Sequence, residues 1–277
     1  MSSATTMGAP ERVVLRHSGL VRLTHWINAL CFFFLLLSGL QIFNAHPSLN
    51  WGNKTDFEAP FFSLGAKRDG AGAVTGVTAL GGAQFDTTGW LGASRNADGQ
   101  TIARGFPTWA TIPSYQDLAT GRRWHFFFAW LLAINGLAYF ANLFARGHIR
   151  DFLAGPRELA SIPRAIWDHA RLRFPKGDEA LHYNVLQKLA YLSVILAFPL
   201  LVLAGLTMSP GMDAAFPWLV DLFGGRQSAR TIHFLCAFYL VAFVVVHLVM
   251  VLISGFGNNI RSMVTGKYRI DEESHGA

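Results

Sequence analysis

Four histidines, His25, His125, His233 and His247, are the residues whose type and spacing could do chemistry. His233 and His247 lie in one thirty-residue stretch, 231–260, that has no Lys, Arg, Asp or Glu. Fourteen residues at about 1.5 Å rise put them roughly 21 Å apart along a helix. Fourteen steps of about 100° come within about 40° of whole turns, so both imidazoles leave the same face. Neutral imidazole binds iron, copper or zinc well. One helix therefore offers two stacked nitrogen ligands, with His25 and His125 as their candidate partners.

The elements that must position them are membrane spans. The chain has 277 residues, 52% hydrophobic and 14% charged, below the roughly 25% charged residues of soluble domains. Residues 23–53, 124–145, 189–212 and 231–260 contain no Asp, Glu, Lys or Arg. About 20 apolar residues suffice to cross a bilayer, and a helix satisfies its own backbone there. The composition predicts an all-α membrane protein: a single domain over residues 1–277, with spans near 24–43, 124–145, 189–209 and 231–254. The N-terminal stretch shows no short apolar core with a small-residue cleavage site, so the first span is expected to be the insertion signal.

The net charge of +6 is explained by topology and calls for no nucleic-acid partner. With both termini in the cytoplasm, the inner segments 1–23, 146–188 and 261–277 hold fourteen of the 23 basic residues, Lys176 and Lys188 among them. Seven of the nine outer ones are spread through one long loop, which weighs little in the positive-inside rule.

Depth then sorts the histidines. His25 sits near the inner end of the first span and His125 at the outer end of the second. His233 sits at the outer end of the fourth, and His247 toward its inner end. That gives an inner pair, His25 with His247, and an outer pair, His125 with His233. A single polar residue in a span often only hydrogen-bonds a neighbouring helix, for about 0.6 kcal/mol. Four that pair at two depths point to function, because ionisable residues inside membranes are costly. Tetrahedral zinc would call for Cys, Asp or Glu beside them. Cys31 and Cys236 lie singly in separate spans and read as small apolar core residues. No C-x-x-C-H is present for covalent haem attachment. Two imidazoles on opposite helices suit the two axial positions of a haem. Gly39 and Gly136 return to the ligand faces, where a small side chain lets a porphyrin approach. Arg22, Arg122, Arg123, Arg226 and Arg230 lie where propionates would emerge.

Between the first two spans runs a Gly-rich outer loop, 44–123, expected to be an ordered cap or docking surface. Residues 76–80 and 85–91 suggest a small β-hairpin. Trp51, Trp90, Trp109 and Tyr115 are candidate interface anchors. The inner loop 146–188 carries Leu159, Ile162, Ile166 and Ala170 at helical spacing, as in a helix lying on the membrane surface. His148 and His169 there read as solvated or interfacial. Pro199 is expected to kink the third span.

With these motifs in view the chain resembles the bacterial dihaem cytochrome b family, the cytochrome b-561 type that supplies membrane subunits to nickel-iron hydrogenases, formate dehydrogenases and thiosulfate reductases. RLTHW in the first span, RRWHFFF in the second and the H-x13-H pair in the fourth carry the resemblance. HYNVLQKLAY before the third span, with His182, and the closing SGFGNNIRSMVTGKY also fit. The resemblance implies a four-helix bundle with two haem b groups, at His25/His247 and His125/His233. It implies a quinone site at the start of the third span, with Asn184 and Gln187 as contacts and Lys188 nearby. The long outer loop looks closer to the thiosulfate-reductase subgroup, often associated with extracytoplasmic molybdenum enzymes.

The expected function is electron transfer between the quinone pool and an extracytoplasmic redox enzyme subunit docked on the outer loop of a protein in the bacterial plasma membrane. Assembly of several copies of the chain stays open. A solitary quinone-reactive cytochrome b without a partner is the near alternative. A histidine-based proton or metal transporter is the distant one, and it predicts a colourless protein.

Overall fold

The computed structural model describes residues 11–171, 173 and 183–271; Lys176 and His182 lie outside them. In chain order the elements are β1 (Glu11–Leu15), α1 (Gly19–Phe43), β2 (Ser48–Leu49), β3 (Phe62–Arg68), β4 (Val74–Leu80), β5 (Ala83–Asp86), β6 (Ala93–Arg95) and β7 (Thr101–Ala103). Then follow α2 (Leu118–Ala145), α3 (Pro156–Ala160), α4 (Ile162–Ala170), α5 (Val185–Leu206), α6 (Pro210–Ala215), α7 (Trp218–Leu222), α8 (Arg226–Ile253), α9 (Phe256–Thr265) and β8 (Lys267–Asp271).

Helices α1, α2, α5 and α8 are long and apolar enough to cross a membrane. Each begins before its charge-free block, and at α1, α2 and α5 a polar N-terminal cap lies outside that block. The Val21 amide donates to Ser18 Oγ at 3.4 Å, and the Thr120 amide to Asp117 Oδ1 at 3.0 Å. Asn184 and Gln187 reciprocate at the start of α5. Such caps satisfy amides that have no partner in a first helical turn. At the other ends, Gly147 follows α2 at φ 68° and Gly255 separates α8 from α9 at φ 109°. Large apolar side chains along these helices stay open, among them Phe33, Phe127, Ile134, Leu196 and Val246. That is how a lipid-facing surface is built. Helix α5 continues through Pro199.

The described chain divides into two compact units, and the division falls within each of the four long helices. The unit of residues 27–136 and 197–239 contains the outer loop. That loop is folded. Strands β2 to β5 form an antiparallel meander in sequence order, and β6 pairs with β7. The expected hairpin exists as β4 and β5, with Leu80 opposite Ala83 across Gly81 and Gly82. Both glycines have positive φ, 54° and 88°, the requirement of a two-residue hairpin turn that follows the strand twist. The hairpin is shifted from the expected 76–80 and 85–91: β4 starts earlier, at Val74, and β5 runs from Ala83 only to Asp86. Phe43, Leu49, Leu64 and Phe106 form the core beneath it, with Phe62 and Phe234 packed alongside. Asn44 clasps this core to the end of α1, its side chain exchanging hydrogen bonds with both backbone groups of Phe106. Trp51, Trp90, Trp109 and Tyr115 are exposed.

The unit of residues 1–26, 137–196 and 240–277 contains a pairing that composition did not predict. β1 and β8 form a two-stranded antiparallel sheet, with Glu11 opposite Asp271 and Leu15 opposite Lys267. Arg16 stacks over the Tyr268 ring at 4.5 Å, and its amide donates to the Gly266 carbonyl. Trp26 Nε1 donates to the Met263 carbonyl at 3.0 Å, which ties α1 to the end of α9. Burial, then the Arg16 charge and the nearby His25 and Arg22, pushes His17 down to about 4, so it is neutral at pH 7. The expected surface helix is two, α3 and α4, which meet at Ser161 just ahead of Pro163; proline has no amide to continue a helical ladder. Leu159, Ile166 and Trp167 are exposed on them.

Candidate functional site

Each pair matched by depth meets within one compact unit. In the loop-bearing unit, the ring centres of His125 on α2 and His233 on α8 are 6.2 Å apart, with their planes at 63°. In the other unit, His25 on α1 and His247 on α8 have ring centres 6.4 Å apart and planes at 58°. Two metal–nitrogen bonds of about 2.0–2.1 Å, plus about 1.1 Å from each nitrogen to its ring centre, put axial imidazoles roughly 6.3 Å apart. Both pairs have the separation of ligands on opposite sides of one metal ion. No group of three or more His, Cys, Asp or Glu gathers among the described residues, so each pair is a two-nitrogen set of the kind a haem iron takes.

The outer pair is held by its second ring nitrogens. Ser38 Oγ lies 2.6 Å from the Phe34 carbonyl one turn back on α1 and donates its only proton there. It can then only accept from His125 Nδ1, 3.1 Å away. His233 Nδ1 donates to the Leu201 carbonyl on α5 at 2.9 Å. A proton on Nδ1 in both rings leaves the Nε2 lone pair for a metal, and such partners fix the orientation of a ligating ring and raise its basicity.

Two glycines make room for these rings. A Cβ on Gly39 would stand 3.3 Å from His125 Cε1, and one on Gly205 would stand 3.2 Å from His233 Cε1. Gly39 was legible as a ligand-face glycine. Gly205, Ser38 and the Leu201 carbonyl were not, because their roles depend on which helices are neighbours. A Cβ on Gly136 would meet nothing within 4 Å, so that face is open.

The inner pair is supported differently. His25 lies edge-on to Trp26 at 5.2 Å, and His247 stacks on Phe243 with ring centres 5.8 Å apart. His25 Nδ1 is buried without a hydrogen-bond partner among the described residues, a position costly to leave unsatisfied.

The arginines named from the sequence are variously engaged. Arg22 donates from Nη1 to the Val264 carbonyl, while its Nε is buried without a hydrogen-bond partner among the described residues. Arg122 lies over Phe126, and Arg230 lies over Phe43 while donating to the His46 carbonyl. Arg226 approaches Asp213 at 3.8 Å. Arg123 contributes to holding the Asp117 carboxyl below its usual range, though the Thr120 hydrogen bonds are the larger cause.

Asn184 and Gln187 form a capping box. The Gln187 amide donates to Asn184 Oδ1 at 2.9 Å, and the Asn184 amide donates to Gln187 Oε1 at 3.1 Å. The cap occupies the two side-chain oxygens and leaves the side-chain NH2 groups as donors, with Asn184 Nδ2 3.4 Å from His169 Nε2. Lys188 pairs with Glu158 at 2.7 Å, and that bond holds the Glu158 carboxyl below its ordinary value. His148 is exposed and bonds Asp151.

A family model described as prokaryotic cytochrome b561 matches residues 16–266. The putative protein-methionine-sulfoxide reductase subunit YedZ1 of Azospira oryzae is 30% identical over 236 residues, 85% of this chain and 89% of its own. The family match takes in all four apolar helices and every histidine of the two pairs; the chain belongs to the prokaryotic cytochrome b561 family, as a haem-binding membrane protein of electron transfer.

Proposed function

We propose that the chain is a dihaem cytochrome b that carries electrons across the bacterial plasma membrane between a quinone pool and an enzyme subunit docked on the 44–123 loop. His25 and His247 ligate one haem b, and His125 and His233 the other. The observation that carries the reading is the pair of imidazole separations, 6.4 and 6.2 Å, each the width of one bis-imidazole metal site. When bound, the haems supply one-electron redox chemistry. The protein's part is to present Nε2 atoms and, at the outer pair, to fix ring orientation through Ser38 and Leu201.

The side-chain NH2 groups of Asn184 and Gln187 are the donors for a quinone carbonyl at the start of α5. The excess of basic residues in segments 1–23, 146–188 and 261–277 supports termini in the cytoplasm, with the folded loop on the opposite side. A relative whose printed name is a reductase subunit supports a working partnership with an oxidoreductase. Sulfoxide and thiosulfate reductases, molybdenum-dependent ones included, are the partner classes in view.

The test is reduction by quinol of the purified, haem-loaded chain in proteoliposomes, read as the growth of a reduced b-type α-band. Asn184→Ala and Gln187→Ala should slow that reduction at least tenfold while leaving the dithionite-reduced spectrum unchanged. Reduction at the wild-type rate in both variants would remove the quinone site from α5.

A further inference from the structure

Among the described residues, the haem ligands and the proposed quinone contacts leave the buried charge of Arg104 unexplained. Arg104, in the outer loop just after β7, is only 6% exposed. Its Nη1 donates to the Ser114 carbonyl. Its Nη2 donates to Gln41 Oε1 and to Thr111 Oγ1. Its Nε is buried with no hydrogen-bond partner among the described residues. All these acceptors are neutral, and no ion pair includes Arg104 among the described residues. Burial alone draws its acidity upward, yet a guanidinium stays protonated in proteins. A buried cation without a counter-charge is costly. A neutral side chain could clamp a loop with less desolvation, so the retained charge asks for a use.

Its position suggests one. Gln41, the acceptor from α1, lies one turn beyond Ser38, whose hydroxyl holds His125 Nδ1. On α2 the matching position is Gly121, one turn before His125; a Cβ there would stand 2.8 Å from Gln41 Cγ. Gln41, which holds the guanidinium, thus lies about one helical turn, roughly 5.4 Å along the axis, beyond the residue that holds His125. A haem iron loses one unit of positive charge when reduced. A nearby cation favours the reduced form, and a low-dielectric surrounding strengthens that effect.

We propose that Arg104 is a positioning residue that raises the reduction potential of the outer haem by holding an uncompensated positive charge beside the His125/His233 site. The proposal rests on the two-haem reading. It gives the folded loop a role beyond docking: the loop supplies the charge that biases the electron toward the outer site. The structural alternative is that Arg104 merely pins residues 111–115 to α1.

The experiment is a spectroscopic redox titration of the full haem-loaded chain, with haem counted in the same samples by pyridine haemochrome. The outer component is the one missing from His233→Ala. Arg104→Gln and Gln41→Glu, which remove or neutralise the charge, should each lower the outer component by at least tenfold in its reduction equilibrium constant, about 59 mV for one electron. The inner component should stay put. Arg104→Lys, which keeps the charge but loses the forked hydrogen bonds, should stay near wild type. If Arg104→Gln loses its outer haem, Gln41→Glu decides, since it keeps the arginine. Unchanged outer potentials, or a fall in Arg104→Lys as large as in Arg104→Gln, would overturn the proposal. Fewer than two haems in the wild-type chain would instead sink the reading on which it rests.

Discussion

Side chains far apart in sequence do the work here through a few short contacts, and the clearest predictions concern them. Replacing His233 by Ala should remove the outer haem and leave the inner one. The haemochrome yield should then fall to half, with the spectrum of the remaining haem intact. Gly205→Val should come close to the same result without touching a ligand, because a Cβ at that position already stands 3.2 Å from His233 Cε1. Its extra methyls must tilt the ring away from its bond to the Leu201 carbonyl. At least a severalfold loss of outer-haem occupancy is expected, while Gly205→Ala should show a smaller one. Equal occupancy in Gly205→Val and wild type would mean that the ring's seat against α5 is unimportant. The four histidines were legible because a fourteen-residue spacing and a position in the span are properties of sequence alone. Ser38 and Gly205 were not, since 87 residues separate Ser38 from His125 and nothing along the chain marks their meeting.

At the level of elements, the long helices announced themselves through blocks free of charge, and polar caps moved the starts of α1, α2 and α5 outward. The outer loop was partly legible. Gly81 and Gly82 marked the β4–β5 turn, whereas β2 and β3 carry too few alternating residues to be read as members of one sheet. The β1–β8 pair was invisible because its strands lie near opposite ends of the chain, and pairing at that separation leaves no local pattern. This clasp should respond to acid. His17 is held at about 4, against 6.5 for an unperturbed histidine. Between those values the unfolded clasp binds more protons than the folded one, so stability rises with pH across this window. It is fully present above about 6.5 and is lost as pH falls toward 4. Amide exchange in β1 and β8, corrected for its intrinsic pH dependence, should show protection dropping from pH 7 to pH 5. His17→Asn should flatten that drop, and an unaltered slope in the variant would contradict the assignment.

At the scale of the whole molecule, we propose that α8 supplies one ligand to each of two haems. Membership of the prokaryotic cytochrome b561 family fixes the class of chemistry; that there are two haems is our proposal from the histidine geometry. A quantitative pyridine haemochrome assay on the purified chain, repeated on His233→Ala and His247→Ala, tests that proposal most directly. Two non-covalent haem b groups per wild-type chain and one in each variant are expected. One haem in the wild-type chain, or two in either variant, would contradict the two-pair account.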